Sequence, residues 1–227
     1  MTIGLPGIDR LPSLDRARAG ERGITIGDFL VPIRISERLN TRARHLALIL
    51  AGALVIFLSA QVYIQRDPVP VTGQVFGVLL VGGALGLRRG FLATLLYVAI
   101  GAIGYPAFAE HKGGLEVIAS VSGGQFHLGA TGGYLIGFIF AGSLVGFLAE
   151  NGWDRNLIGA LGAMVLGDAV IYLIGVPWLA AALNLSLPDA IAGGLTPFIG
   201  WDALKIVAAA ALFPVAWWVV GRRPGDR

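Results

Sequence analysis

The chain contains no cysteine among its 227 residues. That absence excludes a disulfide framework, a thiol nucleophile and any Cys-based metal site. Charge is scarce as well: Asp, Glu, Lys and Arg make up 14%, against about 25% in an ordinary soluble domain. His45, His111 and His127 are scattered, so no metal cluster is expected. A G-x-x-x-x-G-K-[ST] phosphate loop, an H-E-x-x-H pair and a G-x-S-x-G elbow are all missing. ATP hydrolysis by this chain is therefore not expected, nor is an enzyme built on those motifs or a bound cofactor.

What the sequence does contain is apolar. Hydrophobic residues reach 56% and the mean hydropathy is +0.75, which places the chain in a lipid bilayer. Its 34 glycines suit helices that pack closely in lipid. The net charge of +3 is not a nucleic-acid signal, because the basic residues sit beside hydrophobic runs, where they act as topology signals.

Six spans account for the pattern, giving an all-α membrane protein: His45–Ile64, Thr72–Gly86, Gly90–Gly104, Thr131–Ala149, Leu157–Val176 and Trp201–Val220. The second and third are short for a core that takes about 20 helical residues to cross. With a cytoplasmic amino terminus, Arg88, Arg89, Arg155, Arg222, Arg223 and the eight arginines before the first span fall inside. Arg66 and Lys112 alone fall outside the spans on the other side. This bias predicts that both termini are cytoplasmic. Residues 1–44 read as a cytoplasmic extension, Pro/Gly-punctuated and Arg-rich, with no apolar core of signal-peptide length. Residues 45–221 form the membrane domain, and 222–227 a basic cytoplasmic tail.

Lys205 is the most telling residue. It lies in Trp201-Asp202-Ala203-Leu204-Lys205-Ile206, the start of a span, where an ammonium costs roughly 2.5–3.5 kcal/mol at mid-helix. Asp202, three positions earlier, shares its helical face. Such a pair either holds helices together or forms part of a polar ligand site near the outer surface. Two long connections face that side. One carries Gly113-Gly114 and runs into Thr131-Gly132-Gly133-Tyr134, where glycines allow close backbone approach and a helix start offers free N–H donors. The other carries Gly175-Val176-Pro177-Trp178. Trp178 has two readings, an interfacial anchor or a ring that stacks on a ligand. Asp168 is a second intramembrane acid, which pairs with Lys205, binds ligand or stays protonated by desolvation. Tyr172 lies one turn beyond it. Stripes of small residues, among them Ala47 and Ala51, Gly133 with Gly137 and Ala141, and Gly159 with Ala163 and Gly167, let helices approach each other.

Several segments together resemble the BioY family, the biotin-specific substrate-binding (S) components of energy-coupling-factor transporters. They are Pro70-Val71-Thr72-Gly73-Gln74-Val75-Phe76, Gly86-Leu87-Arg88-Arg89-Gly90, Gly101-Ala102-Ile103-Gly104-Tyr105-Pro106, Thr131-Gly132-Gly133-Tyr134, Gly175-Val176-Pro177-Trp178 and Pro197-Phe198-Ile199-Gly200-Trp201-Asp202-Ala203-Leu204-Lys205. The similarity runs in order over about residues 45–220. It implies a six-helix bundle of the S-component type with an outward-facing pocket in a bacterial-type cytoplasmic membrane. It also implies docking through Ala47 and Ala51 onto a transmembrane coupling subunit that carries two ATPases. Asp202 and Lys205 are the implied biotin contacts, and the glycine loop before the fourth span is implied to close over the ligand. Gln74 and the loop groups at Gly113, Gly114, Thr131, Gly132, Gly133 and Tyr134 complete the expected site, with Trp178 and Asp168. Two departures stand out: Ala130 replaces the family's usual proline, and extra residues lie around Ala119–His127.

Biotin's ureido group offers two N–H donors and one acceptor, which suits an Asp beside a Lys. Other readings remain: the same fold for thiamin or riboflavin, an intramembrane enzyme using Asp168 or Asp202 as acid or base, or a structural subunit with an internal ion pair.

Overall fold

The structure, a computed structural model, describes residues 24–30 and 41–220. The expected tail at 222–227 lies outside these residues. Helix α1 (Gly27–Leu30) is followed by α2 (Thr41–Ala60), and a two-residue β-hairpin pairs β1 (Tyr63–Ile64) with β2 (Val71–Thr72). Helix α3 (Gln74–Ala102) leads through two 3-10 turns to a second hairpin, β3 (Ala119–Ser122) with β4 (Gln125–Leu128). The remaining helices are α4 (Gly132–Glu150), α5 (Leu157–Leu183), α6 (Leu187–Gly194) and α7 (Ile199–Val220).

Five of these helices, α2, α3, α4, α5 and α7, are long and apolar enough to cross a membrane. Helix α3 supplies two legs rather than one. Gly86 breaks it with φ +82°, a conformation that side chains other than glycine disfavour. A Cβ on Gly90 would lie 3.1 Å from the Cα of Gly82, although eight residues of straight helix span about 12 Å. The chain has therefore folded back, and residues 74–85 and 87–102 run as the two short legs read from the sequence. Glu150 seals the turn, its Oε1 accepting from the Leu87 N–H at 2.9 Å. Gly142 of α4 backs onto Gly82, where an added Cβ would meet its carbonyl oxygen at 2.5 Å.

Several boundaries differ from the sequence reading. The first span, expected at His45–Ile64, is helical over Thr41–Ala60, and Tyr63–Ile64 pair in β1 instead. Helix α5 runs on through Pro177 to Leu183, so Gly175–Leu179 is helix rather than connection; a proline removes one backbone donor without ending a helix that packing supports. The stretch read as loop after it contains α6, capped by Ser186, whose Oγ accepts from the Asp189 N–H.

Part of the amino-terminal extension is built into the bundle. Thr25, Ile26 and Phe29 are buried, and Phe29 packs edge-on against Trp217 of α7 at 5.7 Å. The Arg155 guanidinium lies 4.4 Å over the same Trp217 ring and donates to the Ile24 carbonyl at 3.4 Å. Arg44, Arg89 and Arg155 thus gather at one end of the bundle. Arg66 and Lys112 sit at the cavity described next.

Candidate ligand-binding site

A cavity of about 400 Å³ opens among α3, α4, α5, α7 and the loops after α2 and α3. Pockets for small molecules span about 300–1,000 Å³. Its polar floor is Asp202, only 1% exposed on the first turn of α7. Asp202 Oδ1 accepts from Lys205 Nζ at 2.8 Å, and Oδ2 accepts from the Tyr172 hydroxyl of α5. One carboxylate therefore gathers a cation from its own helix and a phenol from α5.

Aromatic rings form the adjoining wall. Tyr172 stands edge-on to Tyr134, 6.1 Å away, and tilts against Phe198. The Tyr134 hydroxyl donates to the Gly194 carbonyl at 2.8 Å, which ties α6 to the bundle. Phe138, Ile171 and Phe108 add apolar surface. Across the cavity, Gln74 Nε2 donates to the Tyr97 hydroxyl at 2.6 Å while its Oε1 accepts from Thr72 Oγ1 at 2.9 Å. Tyr97 donates onward to the Ala107 carbonyl at 3.1 Å. Gln74 is buried, and its side chain fixes the base of the β1–β2 hairpin as well as facing the cavity.

Of the residues singled out by sequence, Asp202, Lys205, Gln74, Thr131 and Tyr134 line this cavity. Gly113, Gly114, Gly132, Gly133, Trp178 and Asp168 stand behind its walls. Trp178 packs on Gly133, where an added Cβ would meet its Cβ at 2.2 Å. The indole Nε1 donates to the Gly129 carbonyl at 2.9 Å, and Gly129 is itself a lining residue. Trp178 thus props the loop that covers the ligand space. Gly113 packs against the Tyr105 carbonyl, and Gly114 donates to the Gly101 carbonyl at 2.7 Å. The start of α4 uses two of its own donors internally, Gly132 N to Gly129 O and Tyr134 N to Thr131 O, each at 3.1 Å. Asp168 Oδ1 is buried without a hydrogen-bond partner among the described residues, one turn before Tyr172.

Sequence reading passed over Phe198, Phe108, Phe138 and the rim residues Arg66, Asp67 and Glu116 as site residues. Phe198 was within reach, since it lies four positions before Asp202 and so shares its helical side. The rim residues carry no local pattern that marks them. The extra residues around Ala119–His127 form the exposed β3–β4 hairpin, and none of residues 119–127 lines the cavity.

A six-legged apolar bundle with a partly polar cavity opening at a loop-covered end defines a membrane protein that holds a small molecule. The comparisons give the family. The BioY family profile matches residues 34–222, and the chain belongs to that family. It is 39% identical over 161 residues to "Biotin transporter BioY" of Thermotoga maritima, covering 70% of this chain and 86% of that protein. It is 33% identical over 182 residues to the Rhizobium etli protein of the same name, covering 77% and 92%. The fold matches a crystal structure described as the S-component for biotin from an ECF-type ABC transporter, with TM-score 0.68 and 23% identity over 82% of this chain and 96% of that one.

Proposed function

We propose that this chain is the biotin-binding S component of an energy-coupling-factor importer. Its membrane is of the bacterial cytoplasmic type, the cavity faces outward and both termini are cytoplasmic. The observation that carries the reading is the group at the floor of the cavity in which buried Asp202 holds the half-buried Lys205 and Tyr172. A ureido group inserted there presents its N–H donors to Asp202 and its oxygen to Lys205, both charge-assisted contacts in a water-poor site. The thiophane ring and aliphatic chain then lie against Tyr134, Phe138, Ile171 and Phe198. No step changes a covalent bond, so the ligand leaves as it entered.

Ala47 and Ala51 are exposed on α2 beside Leu50 and Leu54, a small-residue face that fits a partner helix of the coupling subunit. Two separate ATPases bound to that subunit supply the energy.

Biotin titrated into the purified protein in detergent tests the reading. Saturable binding that Lys205→Ala weakens at least tenfold supports it. A folded wild type that takes up no biotin overturns it.

A further inference from the structure

Three cations line the cavity: Lys205, Lys112 and Arg66. Lys205 is matched by Asp202 at 2.8 Å, and Lys112 is matched by Glu110. Arg66 has neither ion pair nor hydrogen bond among the described residues. It is the one lining cation whose charge is unanswered.

Its placement is not that of a free tail. The β1–β2 hairpin is closed by the pairs Tyr63↔Thr72 and Ile64↔Val71, and the Gly73 N–H donates to the Val62 carbonyl at 2.8 Å. Val69 and Val71 anchor its returning strand in the core, and Pro68 abuts Gly193 of α6, where a Cβ would approach its ring at 3.4 Å. Thr72, at the foot of this hairpin, joins Gln74 on the inner wall. Arg66, in its loop, is exposed at the rim. One hairpin therefore spans from the inner wall to the mouth.

We propose that Arg66 recognises the ligand's terminal carboxylate and makes the site selective for a carboxylate-bearing form over its neutral derivatives. This rests on the biotin reading. A ligand with its ureido end on Asp202 directs its aliphatic chain toward the mouth. There a planar guanidinium accepts a carboxylate in a two-point fork, which an ammonium does not reproduce. Lys112, already neutralised by Glu110, is the weaker candidate on the same rim. Asp67 and Glu116 share the mouth and oppose any anion there, so the preference for a carboxylate rests on the directional fork of Arg66 rather than on net charge.

The test compares biotin with biotin amide, which keeps the rings and chain but carries no charge, on the wild type, Arg66→Gln and Lys112→Gln. The expected result is a wild-type preference for biotin of tenfold or more, abolished in R66Q and retained in K112Q. Biotin amide should bind wild type and R66Q equally, which also shows that the variant is folded. Equal binding of both ligands by the wild type overturns the role of Arg66 and leaves the biotin site standing. Preference retained in R66Q, or lost in K112Q instead, overturns it too. Binding of neither ligand by the wild type overturns the biotin reading beneath it.

Discussion

Asp28 and Arg89 join two parts of the chain that lie on opposite sides of a family boundary. The carboxylate accepts from Arg89 Nη1 at 2.9 Å, yet only Arg89 falls within the matched residues 34–222. Thr25 Oγ1 accepts from the same guanidinium at 3.1 Å, and Arg44 Nη2 donates to the Asp28 carbonyl at 2.5 Å. Residues 24–30 therefore staple α2 to the Gly86 turn.

Asp28→Asn should lower the melting temperature in detergent, with a loss of about 1.5–3 kcal/mol, the usual scale for a hydrogen bond to a charged group. Biotin affinity should stay near wild type, because the staple lies outside the cavity. An unchanged melting curve would show that these contacts add nothing to stability.

Two carboxylates outside the spans give opposite pH signatures. Burial works against ionised Asp28, but hydrogen bonds from Arg89 and the Thr25 N–H, with the charges of Arg89 and Arg44, hold its carboxyl below the ordinary value of 3.8. Its contribution is therefore present above that value and is lost as pH falls through the lowered pKa. Asp154 behaves in reverse. Burial pushes it up to about 6, against the opposing hydrogen bond from Trp217 and the charge of Arg155. The folded state then binds the extra proton, and stability declines as pH rises from 3.8 through about 6. The full effect is roughly 3 kcal/mol. Asp154→Asn keeps an acceptor for Trp217 Nε1, which lies 2.8 Å from Oδ2 in the wild type. Thermal unfolding between pH 4 and 8 should lose its slope in D154N, and the variant should be the more stable at pH 7.5. A slope unchanged from wild type would rule Asp154 out as its source.

Tyr172→Phe keeps the ring against Tyr134 and Phe198 but removes the donor to Asp202. Its effect on biotin affinity should be smaller than that of Lys205→Ala, for which at least tenfold, or about 1.4 kcal/mol, is expected. Isothermal titration ranks the two, and the reverse order would place the weight of recognition on the phenol.

Trp178→Phe removes the donor to the Gly129 carbonyl while keeping most of the packing on Gly133. Dissociation of biotin should accelerate a few-fold as the covering loop loosens. Gly133→Val is more severe, because its side chain meets Trp178 at once, and poor folding yield is the expected readout. Normal dissociation in W178F would show that the loop holds its place without the indole.

The spans, the Asp202–Lys205 pair and the two-ended distribution of arginines were legible because each rests on local pattern: length, helical spacing or charge bias. The fold-back at Gly86 was legible as two short runs, since Arg88 and Arg89 interrupt the hydrophobicity there. What was hidden depends on contacts between distant residues. Trp178 looks the same in sequence whether it stacks on a ligand or props Gly129, 49 residues away. Gln74 reads as a binding amide, and only the position of Tyr97 reveals that its donor is already engaged. Arg66 looked like an outer-loop charge until the partners of Lys112 and Lys205 were known.

The turn at Gly86 bears on how the chain enters a bilayer at all. Its first leg, residues 74–85, is about 18 Å long, well under the roughly 30 Å of hydrocarbon. The second, residues 87–102, is about 24 Å long, and the arginines at 88 and 89 lie beside the turn. Neither leg is long enough to cross the hydrocarbon by itself, and the two are held together by the close approach of Gly82 to Gly90, with Gly142 of α4 packed over both. A leucine at Gly82 would meet the Gly142 backbone at once, so a fall in the yield of folded protein, rather than a weaker site in a mature one, is its expected readout.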